Sequence, residues 1–438
     1  MLWALAWTIS SQAGVFPFEV ESEVLENGLT VHVIPMESPG VVAYYTWMNV
    51  GSRNEVDPGR TGFAHFFEHL MFYGTEALGR EERERAILRL GMEENAYTNL
   101  DETVYHGVLP AHGLERYIEI QADLFQNLAL TEDAVQREAG AVYGEFRKSQ
   151  ASTFRRLYSA VQATAFTEHT YGHSTLGHEA DIADMPSAFG YARTFFDRYY
   201  RPELTTLLVV GDADPEAVFA QVRKHYGNWS PATQPPAPLP PEPDQTETRR
   251  IEVNWDAPTA ARLVMAWKIP RHTNDTPEPA HLELASNILF AEVGRLQSRL
   301  VREEAIAYDV FGWRDASVDP GLFQVWVSLK DPAHREAAET IILEEIADIA
   351  AGIESETLEK ARSHARYRFL TDLEDPSAVA SVMGRMLRRD PNIDGLDNFY
   401  AHYDAATPEQ VAATVARYLV PDTLTVGFLS PPTETEAN

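Results

Sequence analysis

The sequence predicts an α+β fold of two homologous domains, in which each domain is a mostly antiparallel β-sheet covered by α-helices. Three observations support this prediction. The chain has 438 residues, more than a single hydrophobic core usually organises. A proline-rich stretch divides it into two parts of ordinary domain size. Both parts mix strand-like and helix-like patterns, and both end in a similar sequence, which suggests a duplication.

The proline-rich stretch is predicted to be a linker over residues 231–247. It contains seven prolines, which favour an extended, semi-rigid path. The predicted domains are therefore 15–230 and 248–438. Residues 1–14 contain an apolar run followed by Ser-Gln-Ala, which is typical of a secretory signal peptide, or else form an apolar tail. A signal peptide would indicate a periplasmic or secreted protein; the alternative is a cytoplasmic one.

Local patterns predict the elements of the first part. Asn27-Gly28, between β-forming residues, predicts a hairpin. The β-branched and aromatic run 41–50 predicts a buried strand, and 62–72 then changes to a helical pattern that Gly74 would end. The same reasoning predicts strands over 103–109 and 204–210, and helices over 114–128, 131–148, 187–199 and 215–226.

The second part repeats this alternation. Strands are predicted over 261–267 and 322–329, and helices over 279–290 and 334–351. The repeated tail consists of Arg-Tyr, then Pro-Glu or Pro-Asp, then an apolar strand; it begins at Arg198 and again at Arg417. This repeat is the most specific sign of duplication.

The composition excludes several classes of function. A formal net charge of −30 argues against nucleic-acid binding, which needs a basic surface. Such a charge would repel anionic membranes and attract cations or basic peptides, although it also serves solubility. No segment after the N-terminus reaches the ~20 apolar residues of a membrane span. The chain has no cysteine, so a metal ion must be held by His, Asp or Glu.

The segment His-Phe-Phe-Glu-His at residues 65–69 is the strongest chemical signal. On a helix, His65 and His69 project from the same face because they are four residues apart. Their imidazoles can therefore bind one divalent metal ion, and Glu68 is close enough to take a proton from water. This is the zinc-hydrolase motif HExxH in reverse order.

A third ligand is needed, because catalytic zinc normally has three from the protein. The predicted helix 131–148 carries Glu138 and Glu145, seven residues apart and hence on one face. One can ligate while the other supports a ligand. The alternative is a pair of surface acids. The apolar neighbours of Glu138 favour a buried helix, in which a carboxylate needs a partner.

With these residues in order, the chain resembles the M16 (inverzincin) metallopeptidases, the family that includes the mitochondrial processing peptidase and a bacterial M16B group. The resemblance extends over nearly the whole chain and implies the M16/LuxS-metallopeptidase-like fold. The matching segments are residues 65–75, 95–105, 138–145 and 199–211. In the last segment, Glu203-Leu204 stands where the family has Glu-Asn.

The resemblance implies roles for individual residues. His65, His69 and Glu145 would bind one Zn²⁺ per chain, and Glu68 would act as general base and acid. Glu138 would be a supporting carboxylate.

Asn95 and Ala96 are implied to present backbone groups to an extended peptide substrate. Considered alone, Asn95 would be an ordinary turn residue.

The resemblance also implies an Arg and a Tyr in the second domain that bind the substrate carbonyl. Arg302 and Tyr308 match by residue type, but the segment 298–308 is one residue short and lacks the usual glycine. Either the two residues act in this chain or a partner supplies the groups.

Three further histidines, His169, His173 and His178, could suggest a second metal site. Their spacing fits no helix face, so we predict a structural loop.

The sequence therefore predicts a zinc-dependent endopeptidase acting on peptides or unfolded segments. The resemblance implies a homodimer, or a heterodimer with a paralogous M16 subunit. Two alternatives remain open: a non-catalytic scaffolding or core subunit of the same fold, and a zinc hydrolase with another substrate. The intact set of zinc-site residues favours the peptidase.

Overall fold

The computed structural model describes residues 15–232, 235–291 and 294–431. The predicted signal peptide, residues 1–14, lies outside them. The chain forms two compact units. Among the described residues, the first comprises 15–146, 173–232, 235–240 and 371–388, and the second comprises 147–172, 241–291, 294–370 and 389–431.

The first unit contains a six-stranded sheet in the order β1-β2-β6-β3-β5-β4. All neighbours are antiparallel except β2 and β6, which are parallel. The antiparallel pairing of β1 with β2 confirms the hairpin predicted at Asn27-Gly28. The strands are β1 (Glu21–Val24), β2 (Thr30–Pro35), β3 (Val41–Met48), β4 (Glu93–Thr98), β5 (Thr103–Pro110) and β6 (Thr205–Gly211).

Helices of the first half pack on one face of this sheet. Strand residues alternate between the two faces, so Val42, Tyr44 and Met48 of β3 point into the same hydrophobic core as the helices. These helices are α1 (Phe63–Leu70), α2 (Arg80–Arg89), α3 (Leu114–Asn127), α4 (Glu132–Gln150), α6 (Glu179–Asp184), α7 (Phe189–Tyr199) and α8 (Pro215–Tyr226). The first half of the sequence also contains α5 (Thr153–Ala165), which belongs to the second unit.

The other face of the first sheet is covered by a helix from the second half of the sequence, α12 (Pro376–Arg389). Ser377 and Tyr45 share a 2.7 Å hydrogen bond between their hydroxyl oxygens. A Cβ atom at Gly384 would overlap the ring of Trp47, so glycine lets the helix approach the sheet closely.

The second unit contains a five-stranded sheet in the order β7-β11-β8-β10-β9. Only β7 and β11 are parallel. This order matches that of the first sheet without β1, and the two repeated tails form the equivalent strands β6 and β11. The matching topology therefore supports duplication. The strands are β7 (Arg249–Asn254), β8 (Ala261–Ile269), β9 (Ala307–Arg314), β10 (Gly321–Leu329) and β11 (Leu424–Ser430).

Helix α5, from the first half of the sequence, contacts β7, β8 and β11. Each unit therefore includes one helix from the other half of the sequence. The division into domains 15–230 and 248–438 remains a proposal about which segments were duplicated. Within the described residues, every helix is too short or too polar to span a lipid bilayer. The remaining helices are α9 (Glu278–Phe290), α10 (Arg335–Ala351), α11 (Ser355–Thr371), α13 (Gly395–Ala405) and α14 (Pro408–Tyr418).

Candidate metal centre

Helix α1 presents the two histidines of the HFFEH segment. It follows Gly62, whose φ of 88° is left-handed and whose added Cβ would lie 2.9 Å from the Leu176 carbonyl oxygen. Glycine is therefore required there. Phe63, Phe66, Phe67 and Leu70 are buried against the core. His65 and His69 are left on the open side, with ring centroids 4.8 Å apart.

Helix α4 presents the two carboxylates. Val135, Ala139 and Val142 are buried in the core. Glu138 is half-buried and Glu145 is exposed. The amphipathic pattern therefore holds α4 in place while its carboxylates face α1.

Three of these side chains converge as metal ligands would. The two Nε2 atoms of His65 and His69 are 3.3 Å apart. Glu145 Oε2 lies 3.5 Å from His65 Nε2 and 3.7 Å from His69 Nε2. Ligands about 2.0–2.1 Å from a tetrahedral zinc ion are separated by roughly 3.3–3.5 Å. Both the donor types and their spacing therefore fit zinc, and no other such cluster occurs in the described ranges.

Glu138 orients His69. Its Oε1 lies 2.9 Å from His69 Nδ1, so a proton on Nδ1 leaves Nε2 free to ligate. Tyr73 donates a 2.8 Å hydrogen bond to Glu138 Oε2. The hydrogen bond with His69 lowers the pKa of Glu138 even though burial opposes this. Burial would lower the pKa of His69, but Glu138 and Glu145 raise it.

Glu68 is held on the same side of α1. Thr98, at the end of β4, donates a 2.6 Å hydrogen bond from Oγ1 to Glu68 Oε2. Burial raises the pKa of Glu68. The negative charge of Glu145 raises it too, while the hydrogen bond from Thr98 and the nearby His69 oppose the shift. A carboxylate with a raised pKa is suited to proton transfer near neutral pH.

The predicted substrate segment lies on β4, an outer strand of the first sheet. In the register with β5, Asn95 is opposite His106 and Ala96 is opposite Tyr105. The Ala96 N–H donates to Asn95 Oδ1 at 2.9 Å. Because α1 packs against β4, this edge lies beside the histidine helix. An outer strand can accept an additional strand from a peptide.

Arg302 and Tyr308 belong to the second unit. Arg302 lies in a π-helical segment, Gln297–Glu303, and Tyr308 is an exposed residue of β9. Between them, Ala305 has a φ of 52°, the only positive φ of a non-glycine residue in the described part of the chain. The glycine that the segment lacks would adopt this conformation without strain. Their action on a substrate carbonyl stays a prediction.

The three other histidines lie in the irregular segment between α5 and α6, as the predicted loop requires. His169 Nε2 lies 3.1 Å from Asp319, and its Nδ1 accepts from the Tyr171 N–H. His173 Nδ1 donates to the Ser174 carbonyl at 3.0 Å.

Sequence reasoning gave no role to Thr98, Tyr73 or Glu55, although each contacts the site or its helix. Thr98 lies in the segment that resembles the family's substrate strand, so its position on β4 was the signal that could have indicated a contact with the site. Glu55 accepts hydrogen bonds from the start of α1, and no regular spacing indicates that contact.

Two family models match the chain. Insulinase (Peptidase family M16) matches residues 37–179, and Peptidase M16 inactive domain matches residues 191–364. All of the residues that converge at the candidate metal site lie within the first match.

The chain is similar over most of its length to named proteases. Zinc protease PqqE of Helicobacter pylori is 27% identical over 417 residues, which cover 94% of this chain and 93% of that protein. Mitochondrial-processing peptidase subunit beta of Rattus norvegicus is 24% identical over 430 residues, covering 94% and 85%. A solved structure of a protease from Helicobacter pylori superposes with a TM-score of 0.89 at 27% identity, covering 94% of this chain and all of that one.

Proposed function

Because this chain belongs to the M16 peptidase family, we propose that it is a zinc-dependent endopeptidase that cleaves peptides or unfolded segments. One observation carries the proposal. The Nε2 atoms of His65 and His69 and the Oε2 of Glu145 converge at the spacing of zinc ligands. Glu68 lies beside the two histidines on helix α1. The names of the zinc protease relatives support the same activity.

The three convergent residues would hold one Zn²⁺ per chain. Zinc in such a site acidifies water and polarises a peptide carbonyl. Glu138 would keep His69 Nε2 directed at the ion, because it fixes the proton on Nδ1. Glu145 would contribute a negative charge that offsets part of the charge of the ion.

Glu68 would transfer the proton. Its Oε1 is not engaged by Thr98, whose hydroxyl bonds Oε2, so one carboxylate oxygen remains for the attacking water. The raised pKa of Glu68 makes it able to accept a proton and later return it to the leaving amine.

The substrate would bind as an extra strand on β4. Main-chain hydrogen bonds at Asn95 and Ala96 would hold it in an extended conformation, which a folded protein rarely offers at a cleavage site. The Asn95 side chain would have to release the Ala96 N–H first. Arg302 and Tyr308 are proposed to bind the substrate carbonyl, as the family resemblance implies.

We also propose that the chain pairs with a second copy or with a paralogous subunit. The rat relative is named as a subunit, which supports an assembly. Sedimentation of the purified chain, alone and with its paralogues, tests this. A periplasmic or secreted location remains a proposal that rests on residues 1–14.

The main alternative is a scaffolding subunit without activity. The inactive-domain model matches residues 191–364, a range that contains none of the three convergent ligands. Metal content by mass spectrometry and hydrolysis of a library of internally quenched peptides separate the alternatives. The peptidase proposal requires one zinc per chain and hydrolysis that a chelator abolishes. Protein that binds zinc but cleaves no peptide would favour a scaffold or another hydrolase.

A further inference from the structure

We propose that Glu55 is a positioning residue whose carboxylate fixes the start of helix α1 and thereby sets the separation of the two histidine ligands. The inference rests on the proposed function, because it concerns the geometry of the same zinc site. Glu55 itself contacts neither the ligand atoms nor the substrate edge in the contacts described above.

Helix α1 is capped from outside its own sequence. The first N–H groups of any helix lack partners within the helix, and Gly62, at the N-cap, has no side chain to accept from them. Glu55 accepts from two N–H groups at this end: Oε2 accepts from the Gly62 N–H at 2.8 Å, and Oε1 accepts from the Ala64 N–H at 2.7 Å. Both carboxylate oxygens are therefore committed to the first turn of α1.

The position of this cap matters because α1 is short. It has eight residues, or about 12 Å and two turns, and helices of that length are marginal on their own. His65 follows Ala64 directly, whereas His69 lies one turn later. A change in the first turn would therefore move His65 relative to His69, and the 3.3 Å spacing of their Nε2 atoms would change with it.

The surroundings of Glu55 make its carboxylate costly to bury, so its hydrogen bonds rather than its packing account for its place in the structure. The Glu55 side chain is fully buried, and burial raises its pKa to about 8, although the N–H groups of α1 oppose the shift. The nearby Asp181 contributes to this raised pKa, and His173 Nδ1 lies 3.7 Å from Oε2. An apolar side chain of the same size would avoid this cost but could not accept from Gly62 and Ala64.

Asp181 accepts hydrogen bonds from Thr61, the residue before the N-cap Gly62. Its Oδ2 accepts from both the N–H and the hydroxyl of Thr61, at 3.2 and 2.6 Å. Thr61 Oγ1 in turn accepts from the His178 N–H at 2.7 Å. The chain entering α1 is thus held on both sides of Gly62, and Glu55 is the group that bonds the helix itself.

The test compares zinc affinity, by competition with a chromophoric chelator, for the full chain and for Glu55→Ala, Glu55→Gln and Glu55→Asp. Asp214→Ala is the matched control, because Asp214 caps the distant helix α8 through the Ala217 N–H. Amide hydrogen exchange of the α1 peptide in the metal-free protein gives a second readout. Exchange in α1 should accelerate in Glu55→Ala and remain unchanged in Asp214→Ala.

We expect Glu55→Ala to weaken zinc binding by at least about tenfold, within the range known for residues that orient ligands. Glu55→Gln keeps the side-chain volume but only one acceptor oxygen and turns its N–H₂ towards the other N–H group, so its affinity should lie between those of the wild type and Glu55→Ala. Folded Glu55→Ala with wild-type zinc affinity would overturn the inference. If Glu55→Ala does not fold, wild-type affinity in Glu55→Asp, which is too short to reach both N–H groups, would overturn it instead. A wild-type chain that binds no zinc would overturn the proposed function.

Discussion

Thr98 Oγ1 donates a 2.6 Å hydrogen bond to Glu68 Oε2. The outer strand β4, where a substrate is proposed to bind, therefore also holds the proposed general base on helix α1. Thr98 Oγ1 is itself 3.4 Å from Thr103 Oγ1, and Thr103 donates to the Val50 carbonyl. Because each hydroxyl has one proton and both protons are donated elsewhere, the contact between Thr98 and Thr103 is not a hydrogen bond, and Thr98 gives its only proton to Glu68.

Replacement of Thr98 by Val should impair proton transfer without removing zinc. The loss of a hydrogen bond to a charged group should lower kcat by roughly tenfold, with little change in KM or zinc content. Thr98→Ser keeps the hydroxyl and should stay near wild type. Steady-state kinetics on a quenched peptide measure this. Equal kcat values for the Val and Ser variants would show that the bond does not matter.

Replacement of Glu138 by Gln should weaken zinc binding. Gln keeps an acceptor oxygen but lacks the negative charge that stabilises the Nδ1 proton of His69, and residues in this position typically account for 10–100-fold in metal affinity. Tyr73→Phe removes only the hydrogen bond to Glu138 and should have a smaller effect. Chelator competition measures both, and an unchanged affinity in Glu138→Gln would argue against the orienting role.

Glu242 should make the second unit sensitive to acid. Burial alone would raise its pKa, but the N–H groups of residues 167–169 and the Lys268 ammonium lower it to about 2. The ordinary value of 4.5 applies to the unfolded chain. Its contribution to stability is therefore complete above pH about 4.5 and is lost as the pH falls toward about 2.

The melting temperature of the wild type should consequently fall more steeply over this pH range than that of Glu242→Gln. Glu356→Gln, which changes an exposed carboxylate paired with Lys360, is the control and should follow the wild type. Parallel curves for wild type and Glu242→Gln would contradict the prediction.

Replacement of Ala305 by Gly should stabilise the protein. A left-handed φ is unfavourable for alanine by about 1 kcal/mol and carries no such cost for glycine. Urea denaturation should therefore show a higher free energy of unfolding for Ala305→Gly. Ala333→Gly, at an exposed turn with no positive φ, should instead be neutral or destabilising. A lower stability for Ala305→Gly would rule out strain at this position.

The sequence was sufficient to predict the features that depend on local periodicity. The four-residue spacing of His65 and His69 predicts a shared helix face, and the structure confirms that helix. It ends at Leu70 rather than 72, because residues 71–73 tighten into a 3₁₀ turn. The shared face of Glu138 and Glu145 offers two candidates for the third ligand, and only the family resemblance selects Glu145, since no spacing within one helix specifies its partner.

Features that depend on tertiary contacts could not be predicted. Glu55 caps a helix that begins eight residues later, and nothing in the intervening sequence is periodic. The close approach of α12 to Trp47 depends on Gly384. From the local sequence alone, this glycine only indicates a lower helix propensity. The exchange of α5 and α12 between the units likewise has no signature in either segment alone.

The most direct test of the account is hydrolysis of an internally quenched peptide by zinc-loaded Glu68→Gln, compared with wild type and with Glu82→Gln, an exposed change on α2. Metal content is measured on the same samples. We predict one zinc per chain in all three proteins, and a loss of at least about a hundredfold in kcat for Glu68→Gln alone. Undiminished hydrolysis by Glu68→Gln would contradict it.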